Sequence, residues 1–413
     1  MKKKNRELCD VLISGAGTPG LTLALLLGQA GLNVLVIDPA PLRVLQNKIP
    51  DTRTVALMQG SIDVIKTAGA WEKCEPHGGV MEALKIIDDS GLTRAPVEAL
   101  FPAAEIGQEI FGVNMPNNIL RAALAEKVLQ SKNIDLQTEM KLASYEADDF
   151  GITAKTSGGD VRAKLLIGAD GRNSAVRACA GIDVWERDYG QSAITCFIKH
   201  SRPHGHTSTE FHRPTGPFAL VPLPGNISSV VWVDTTEKAA DFMALNKNAF
   251  ERALQERTKD LLGTVELNKE PQSFPLKALR AKRLTAKRVA LMAEAAHVLH
   301  PLTAQGLNLS LRDVAALADV IIDAAQLGLD IGSGVILARY ESRRRADVAL
   351  RVHGTDTLNR FISQPRAPLH ALRRAGLKTV DHFPFLKEFV MQQGMAPEMH
   401  FNPHRPASRR GRG

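Results

Sequence analysis

Cysteine is scarce in this chain. Its 413 residues hold only four, Cys9, Cys74, Cys179 and Cys196, with no C-x-x-C pair and no zinc-like spacing to histidine. This excludes a disulfide framework and a structural metal site, and a reducing cytoplasm is the simplest setting. Aromatics are few at 5%, while 44% hydrophobic and 23% charged residues place the chain among globular proteins of two to three domains rather than disordered tails or coiled coils. The body also lacks an excess of charge. Of the formal +8, residues 1–7 carry +3 and residues 405–413 carry +4, which leaves +1 for everything between. A basic balance confined to two tails excludes a nucleic-acid partner. An apolar run long enough to span a membrane is missing too. Lys2 to Lys4 followed by the uncharged stretch Val11 to Ile37 imitates a leader or anchor, yet Gly15, Gly17, Pro19, Gly20, Gln29 and Asn33 interrupt it. Repeats are absent, and low complexity is limited to the Arg/Gly-rich last nine residues.

The same interrupted stretch carries the first motif. Cys9 to Ser14 is aliphatic and reads as a strand, Gly15-Ala-Gly17-Thr-Pro-Gly20 as a tight turn, Leu21 to Leu27 as a helix, and Asn33 to Ile37 as a second buried strand ending at Asp38. Each glycine has a mechanical reason. Gly15 allows the turn, Gly17 lets the backbone approach a pyrophosphate, and Gly20 permits close packing of helix on strand. The helix N-terminus offers unpaired N–H groups to phosphate, and Asp38 can accept from ribose hydroxyls. The pattern predicts a dinucleotide site and leaves NAD and FAD both open.

Two later segments repeat the arrangement of a strand followed by polar residues. Ala163 to Ile167 leads into Gly168-Ala-Asp170-Gly171-Arg-Asn-Ser174-Ala-Val-Arg177. Arg288 to Met292 leads into Ala293-Glu294-Ala-Ala-His297-Val-Leu-His300-Pro301-Leu-Thr-Ala-Gln305-Gly306-Leu307-Asn308 and a helix from about Leu309 to Ala325. The C-terminal edge of a parallel sheet is where ligands bind. Residues 185–275 hold mostly short strand-like stretches, including Ala193 to Ile198 and Ser228 to Val233, and read as an inserted β-sheet. Its Phe218, Leu220 and Trp232 suit either pocket lining or sheet core. His297 and His300 read as loop histidines rather than a metal pair, so no metal is expected.

These motifs resemble the class A flavoprotein monooxygenases, and within them the ubiquinone-biosynthesis hydroxylases. Gly168 to Arg177 is similar to their G-A-D-G-x-x-S-x-x-R motif, and Ala293 to Asn308 to their G-D-A-A-H-x-x-x-P-x-x-G-Q-G-x-N motif. Asp51-Thr-Arg53-Thr-Val-Ala-Leu57 with Gly69-Ala-Trp71, Gly216 to Pro224 with Val231-Trp232, and Tyr340, Arg344 and Asp347 with Thr355 to Phe361 resemble the ubiquinone subgroup. The likeness runs from about residue 8 to 397. It departs at Ala293-Glu294, where the family has Gly-Asp, and at Ala304, where the family has glycine. A glycine at such places serves positive φ or close contact.

The resemblance implies an α/β fold: a Rossmann-like, three-layer FAD-binding domain with a parallel sheet, an inserted and mainly antiparallel β-sheet substrate domain, and C-terminal helices. The corresponding spans are 8–75, 105–184 and 276–330 for FAD, 76–104 and 185–275 for substrate, and 331–397 for the helices, with flexible basic tails at 1–7 and 398–413. It also implies an FAD-dependent hydroxylase of a polyprenylated phenol in ubiquinone biosynthesis. FAD and O2 would act through a flavin hydroperoxide, with NAD(P)H or a redox protein as electron donor. Gly15, Gly17, Gly20, Asp38, Arg53, Asn117, Arg121, Asp170, Gly171, Glu294, Pro301, Gly306, Leu307 and Asn308 are the implied cofactor residues. Asp170 would serve both FAD and NAD(P)H, and the helix at Gly306 would face the anionic edge of reduced flavin. No residue emerges as a general base. Other ubiquinone-biosynthesis enzymes and a peripheral contact with the inner membrane, through the tails or the amphipathic segment Leu369 to Val380, complete the expectation. Two alternatives stay open: a class A hydroxylase of a soluble aromatic, and a non-catalytic member of a quinone-synthesis complex.

Overall fold

The computed structural model describes residues 8–46, 51–89, 96–363, 387–388 and 391. Both basic tails and the segment 369–380 lie outside the described residues.

Val11, Leu12, Ile13, Val36 and Ile37 are fully buried, so the strands Cys9–Ser14 and Val34–Asp38 have core on both faces. That is the mark of parallel strands covered on both sides. Five of the eight described strands of this sheet run parallel, in the order Val289–Leu291, Gly159–Gly168, Cys9–Ser14, Val34–Asp38 and Ile134–Thr138. Gly159–Gly168 shows the physics within one strand. Its first half pairs antiparallel with Ile152–Thr156 and alternates buried with partly exposed residues, while its last four residues join the parallel sheet and are all buried. Pro19 occupies the first turn of helix Thr18–Gln29, where its missing N–H costs nothing. This helix packs on Asn117–Leu129 and Gly306–Gln326.

A second sheet has the order His297–Val298, Val265–Ala281, Val184–His200, Ile227–Thr235, Gly216–Leu223, Thr207–Arg213, Ala83–Asp88 and Val97–Pro102. It is antiparallel except where Thr207–Arg213 meets Ala83–Asp88. Its strands are longer than the sequence suggests, because β-bulges absorb the breaks after Asp188, Thr195 and Phe197. Helices Thr236–Met243 and Lys247–Thr258 fold onto it. Trp232, fully buried, packs against Phe218, Phe242 and Phe250, with Arg257 4.1 Å from its ring. Trp232, Phe218 and Leu220 are thus sheet core. A small antiparallel sheet of Thr54–Met58, Gly112–Pro116 and Gly79–Met81 forms a ladder of its own and packs on the second sheet, where Asn114 Nδ2 donates to Pro222 oxygen at 2.9 Å. The chain then forms one long helix, Gly334–Ser363. The fold is therefore a Rossmann-like α/β domain with a second β domain, as the motifs imply.

Candidate functional site

The glycine turn sits where the first strand ends. Gly15 has φ +114°, and a Cβ there would stand 2.2 Å from the Ala169 carbonyl oxygen; at Gly20 it would stand 2.0 Å from the Gly15 oxygen. Both glycines are demanded by the chain's own packing. Gly17 is different. Its φ is ordinary, and an added Cβ would meet only the Pro19 ring at 3.8 Å, so nothing in the protein requires glycine there. The open space lies at the N-terminus of helix Thr18–Gln29, which is where a phosphate would approach. Asp38 braces the turn, accepting the Ala16 N–H at 2.7 Å on Oδ2 and the Ala40 N–H at 2.7 Å on Oδ1.

The Ala169 N–H donates to Ser14 oxygen at 2.8 Å, which brings the second motif beside the first. Asp170 uses Oδ2 to accept the Ala175 and Val176 N–H groups at 2.8 and 3.1 Å, while its buried Oδ1 has no partner. Arg121 donates from Nη2 to Val44 oxygen at 2.8 Å, its buried Nε is also unpartnered, and burial works against its charge. Arg53 makes a forked pair with Asp51, Nε to Oδ1 at 2.9 Å and Nη2 to Oδ2 at 2.8 Å. Burial pushes the Asp51 carboxyl up, but the hydrogen bond and charge of Arg53 outweigh it and hold it below the usual range. The Arg53 guanidinium lies 5.0 Å from the Phe274 ring, and its carbonyl accepts the Asn117 N–H at 3.0 Å.

The third motif closes the site. Ala293 and Ala304 adopt φ +54° and +51°, so both alanines stand in backbone that favours glycine. Glu294 is exposed, 3.7 Å from Arg172, and its charge bears on Arg53. Gly306 opens helix Gly306–Gln326 facing open space. The Gly306, Leu307 and Asn308 N–H groups precede Leu309, whose N–H donates to Gln305 oxygen at 2.9 Å. The Asn308 side chain is spent inside the protein: Oδ1 accepts the Met58 N–H at 3.0 Å, and Nδ2 donates to Ala56 and Ala304 oxygens at 2.7 and 3.0 Å. It ties the helix to the strand that follows Arg53.

One residue before Pro301, His300 is 1% exposed. Its Nδ1 accepts the Leu302 N–H at 3.2 Å, which places the ring proton on Nε2, a buried atom without a partner. Burial pushes its pKa down to about 4, so the ring is neutral at pH 7. Tyr189 stands edge-on to it at 5.0 Å, and the Asp356 carboxylate of the long helix bears on the Tyr189 hydroxyl, whose pKa is raised by burial first and Asp356 second.

Residues 8–354 match the family described as "FAD binding domain". The chain is 34% identical over 406 residues to ubiquinone hydroxylase UbiL of Rhodospirillum rubrum, covering 98% of this chain and 93% of the relative. The chain belongs to this FAD-binding family of ubiquinone hydroxylases. Its identity to the Escherichia coli 3-demethoxyubiquinol 3-hydroxylase is 31% over 393 residues, covering 94% of this chain and 98% of that one. Among solved structures, Pseudomonas aeruginosa PqsL in complex with 2-aminobenzoylacetate superposes with a TM-score of 0.76 at 24% identity, over 90% of this chain and all of that one, a likeness of fold. The protein is an FAD-dependent monooxygenase.

The residues present fit that cofactor. The unpartnered Asp170 Oδ1 is an acceptor for a hydroxyl, the unpartnered Arg121 Nε is a donor for a phosphate, and the open ground before Gly17 and Gly306 receives a ligand rather than a side chain. Sequence reasoning does not mark as site residues Asp51, which opens the Asp51-Thr-Arg53 motif, or His300 and Asp356, which lie in the motif segments, and it does not single out Tyr189. Tyr189, His300 and Asp356 meet from distant segments.

Proposed function

We propose that the protein hydroxylates the aromatic ring of a polyprenylated phenol in ubiquinone biosynthesis, with O2 as oxygen source and NAD(P)H or a redox protein as electron donor. The observation that carries this is the full-length, 34% identical match to a ubiquinone hydroxylase. Residues 8–75, 105–184 and 276–330 hold FAD in this reading, and 76–104 with 185–275 wall the substrate side. Gly15 and Gly20 shape the turn and Gly17 admits the pyrophosphate to the first helix, with Arg121 and Asn117 beside it. Asp38 and Asp170 accept hydroxyls, Arg53 reaches the cofactor or the incoming nicotinamide, and Glu294 faces the ribityl side. Pro301, Gly306, Leu307 and Asn308 line the ring, whose anionic edge the helix dipole stabilises. Bound FAD supplies the oxygen-activating redox chemistry. The second sheet would exclude water from the site, and burial keeps His300, next to Pro301, neutral.

Mass spectrometry of quinone precursors in a strain lacking the gene tests the reading. An under-hydroxylated prenylphenol should accumulate, and its structure names the carbon attacked. Unchanged quinone levels would overturn the pathway. Among the described residues no helix is long and apolar enough to cross a membrane, so contact with a membrane surface or with other enzymes of the pathway belongs to the proposal as a peripheral association. Sedimentation with anionic liposomes, before and after trimming residues 1–6 and 405–413, checks it.

A further inference from the structure

One face of the long helix Gly334–Ser363 bonds the segment from Leu291 to Gln305 directly at its two ends and a third time through Asp313. Tyr340, Arg344, Asp347 and Arg351 recur every three or four residues, which places them on a single stripe. Tyr340 hydroxyl donates to Leu291 oxygen at 2.8 Å, at the end of the strand that enters the segment. Arg344 Nε donates to Asp313 Oδ1 at 2.7 Å. Asp313, fully buried in helix Gly306–Gln326, then accepts on Oδ2 the Ala293 N–H at 2.9 Å and lies 2.5 Å from His297 Nε2. Arg344 Nη1 also donates to Asp347 Oδ2 at 2.6 Å, Asp347 Oδ1 accepts Arg351 Nε at 2.8 Å, and Arg351 Nη1 donates to Gln305 Oε1. The stripe therefore grips both ends of the segment next to its two left-handed alanines. A residue held at positive φ needs surroundings that over-determine it, and the Asp313 carboxylate on the Ala293 N–H is that restraint at the first end.

We propose that Arg344 and Asp313 are positioning residues for FAD binding, and that the C-terminal helix sets FAD affinity by holding Ala293 to Gln305 in its bound shape. The inference rests on the reading of 293–308 as an FAD-binding segment. Buried carboxylates and guanidiniums also stiffen proteins with no ligand in view, so the test needs a matched control. Arg213, in the second sheet, is similarly buried, with Nε 3.0 Å from Asp89 Oδ2 and Nη2 donating to Arg257 oxygen at 2.7 Å.

Full-length Arg344→Met and Arg213→Met proteins would be compared by hydrogen exchange of the peptide spanning Ala293 in FAD-free protein, and by FAD titration of flavin fluorescence. Arg344→Met should speed exchange of that peptide at least tenfold and raise the FAD Kd at least tenfold. Arg213→Met should lower Tm and leave both unchanged. Should Arg344→Met not fold, Arg351→Gln, at the less buried end of the stripe, is expected to raise the Kd about threefold, with Arg351→Lys recovering most of it. Equal exchange and equal Kd in the Arg344 and Arg213 variants would overturn the positioning role. Faster exchange with unchanged FAD affinity would overturn the reading of the segment as the FAD site, and the proposal with it.

Discussion

The C-terminal edge of the parallel sheet and the helix-covered face of the second sheet differ in how their buried charged groups are used. In the second sheet, away from the site, ions close on one another: Arg257 meets Asp234 at 3.0 Å, and Arg213 meets Asp89 at 3.0 Å, with the first of these arginines also stacked on Trp232. At the C-terminal edge of the parallel sheet, Asp170 Oδ1 and Arg121 Nε are buried without partners, and Gly17 and Gly306 face space that no side chain fills. An unpaired buried polar atom costs about 1–3 kcal/mol. The second sheet holds such atoms too, Tyr189 Oη and Arg280 Nε among them, but at the parallel sheet's edge a carboxylate acceptor and a guanidinium donor of this kind lie with glycines that face open ground. That edge is where FAD is proposed to bind.

The comparison breaks first if stability and FAD affinity fail to separate. Trp232→Ala removes the largest fully buried side chain of the second sheet and should cost about 3–5 kcal/mol in chemical unfolding, while the folded fraction keeps its flavin absorption. Loss of flavin from folded protein would show that the second sheet is part of the cofactor site.

Acid should next unbalance the region around His300. Its folded pKa of about 4 lies below the ordinary 6.5, so the unfolded chain binds the extra proton first and stability falls as pH drops from about 6.5 to about 4. The loss amounts to about 3 kcal/mol by linkage. His200 in the second sheet, lowered by burial as well, adds in the same direction. Unfolding curves of His300→Gln across that range should be flatter than those of the unaltered protein, and an unchanged slope would assign the whole effect to other groups.

Gly17→Ala sharpens the contrast within the parallel sheet itself. It should leave Tm within a degree or two and raise the FAD Kd about tenfold, roughly 1.4 kcal/mol, because its methyl meets the ligand and not the protein. A fall in Tm with normal FAD affinity would reverse that assignment. The smallest effect is expected at the left-handed alanines. Ala293→Gly and Ala304→Gly should each raise unfolding free energy by about 0.5–1 kcal/mol, since glycine relieves part of the left-handed penalty and gives some back in backbone entropy.

Local features were readable because their causes are local. Gly15, Gly17, Gly20 and Asp38 lie within one strand, turn, helix and strand, where spacing alone fixes their positions relative to one another. The abrupt change in burial along Gly159–Gly168 is likewise visible as alternation giving way to Leu-Leu-Ile. By contrast, residue type misleads at Trp232, Phe218 and Leu220: apolar strand residues look the same in a pocket and in a core, and only the two helices laid over the sheet decide between them. Asn308 sits in its motif as expected, yet its amide is consumed by Ala304, one turn before it, and by Met58 and Ala56, 250 and 252 residues away in the chain.

The amino-acid sequence by itself determined the glycine turn at Gly15 to Gly20, the order of the parallel strands' motifs, the family and the net charge of only +1 on residues 8–404, because each follows from local pattern or composition. The tertiary structure alone decided which glycines the protein needs for itself and which stand open. It also decided how Tyr189, His300 and Asp356 meet, and that one stripe of the last long helix holds the segment between two left-handed alanines. Those outcomes depend on which distant atoms share a buried space, and burial is a property of the packed chain rather than of any segment in it.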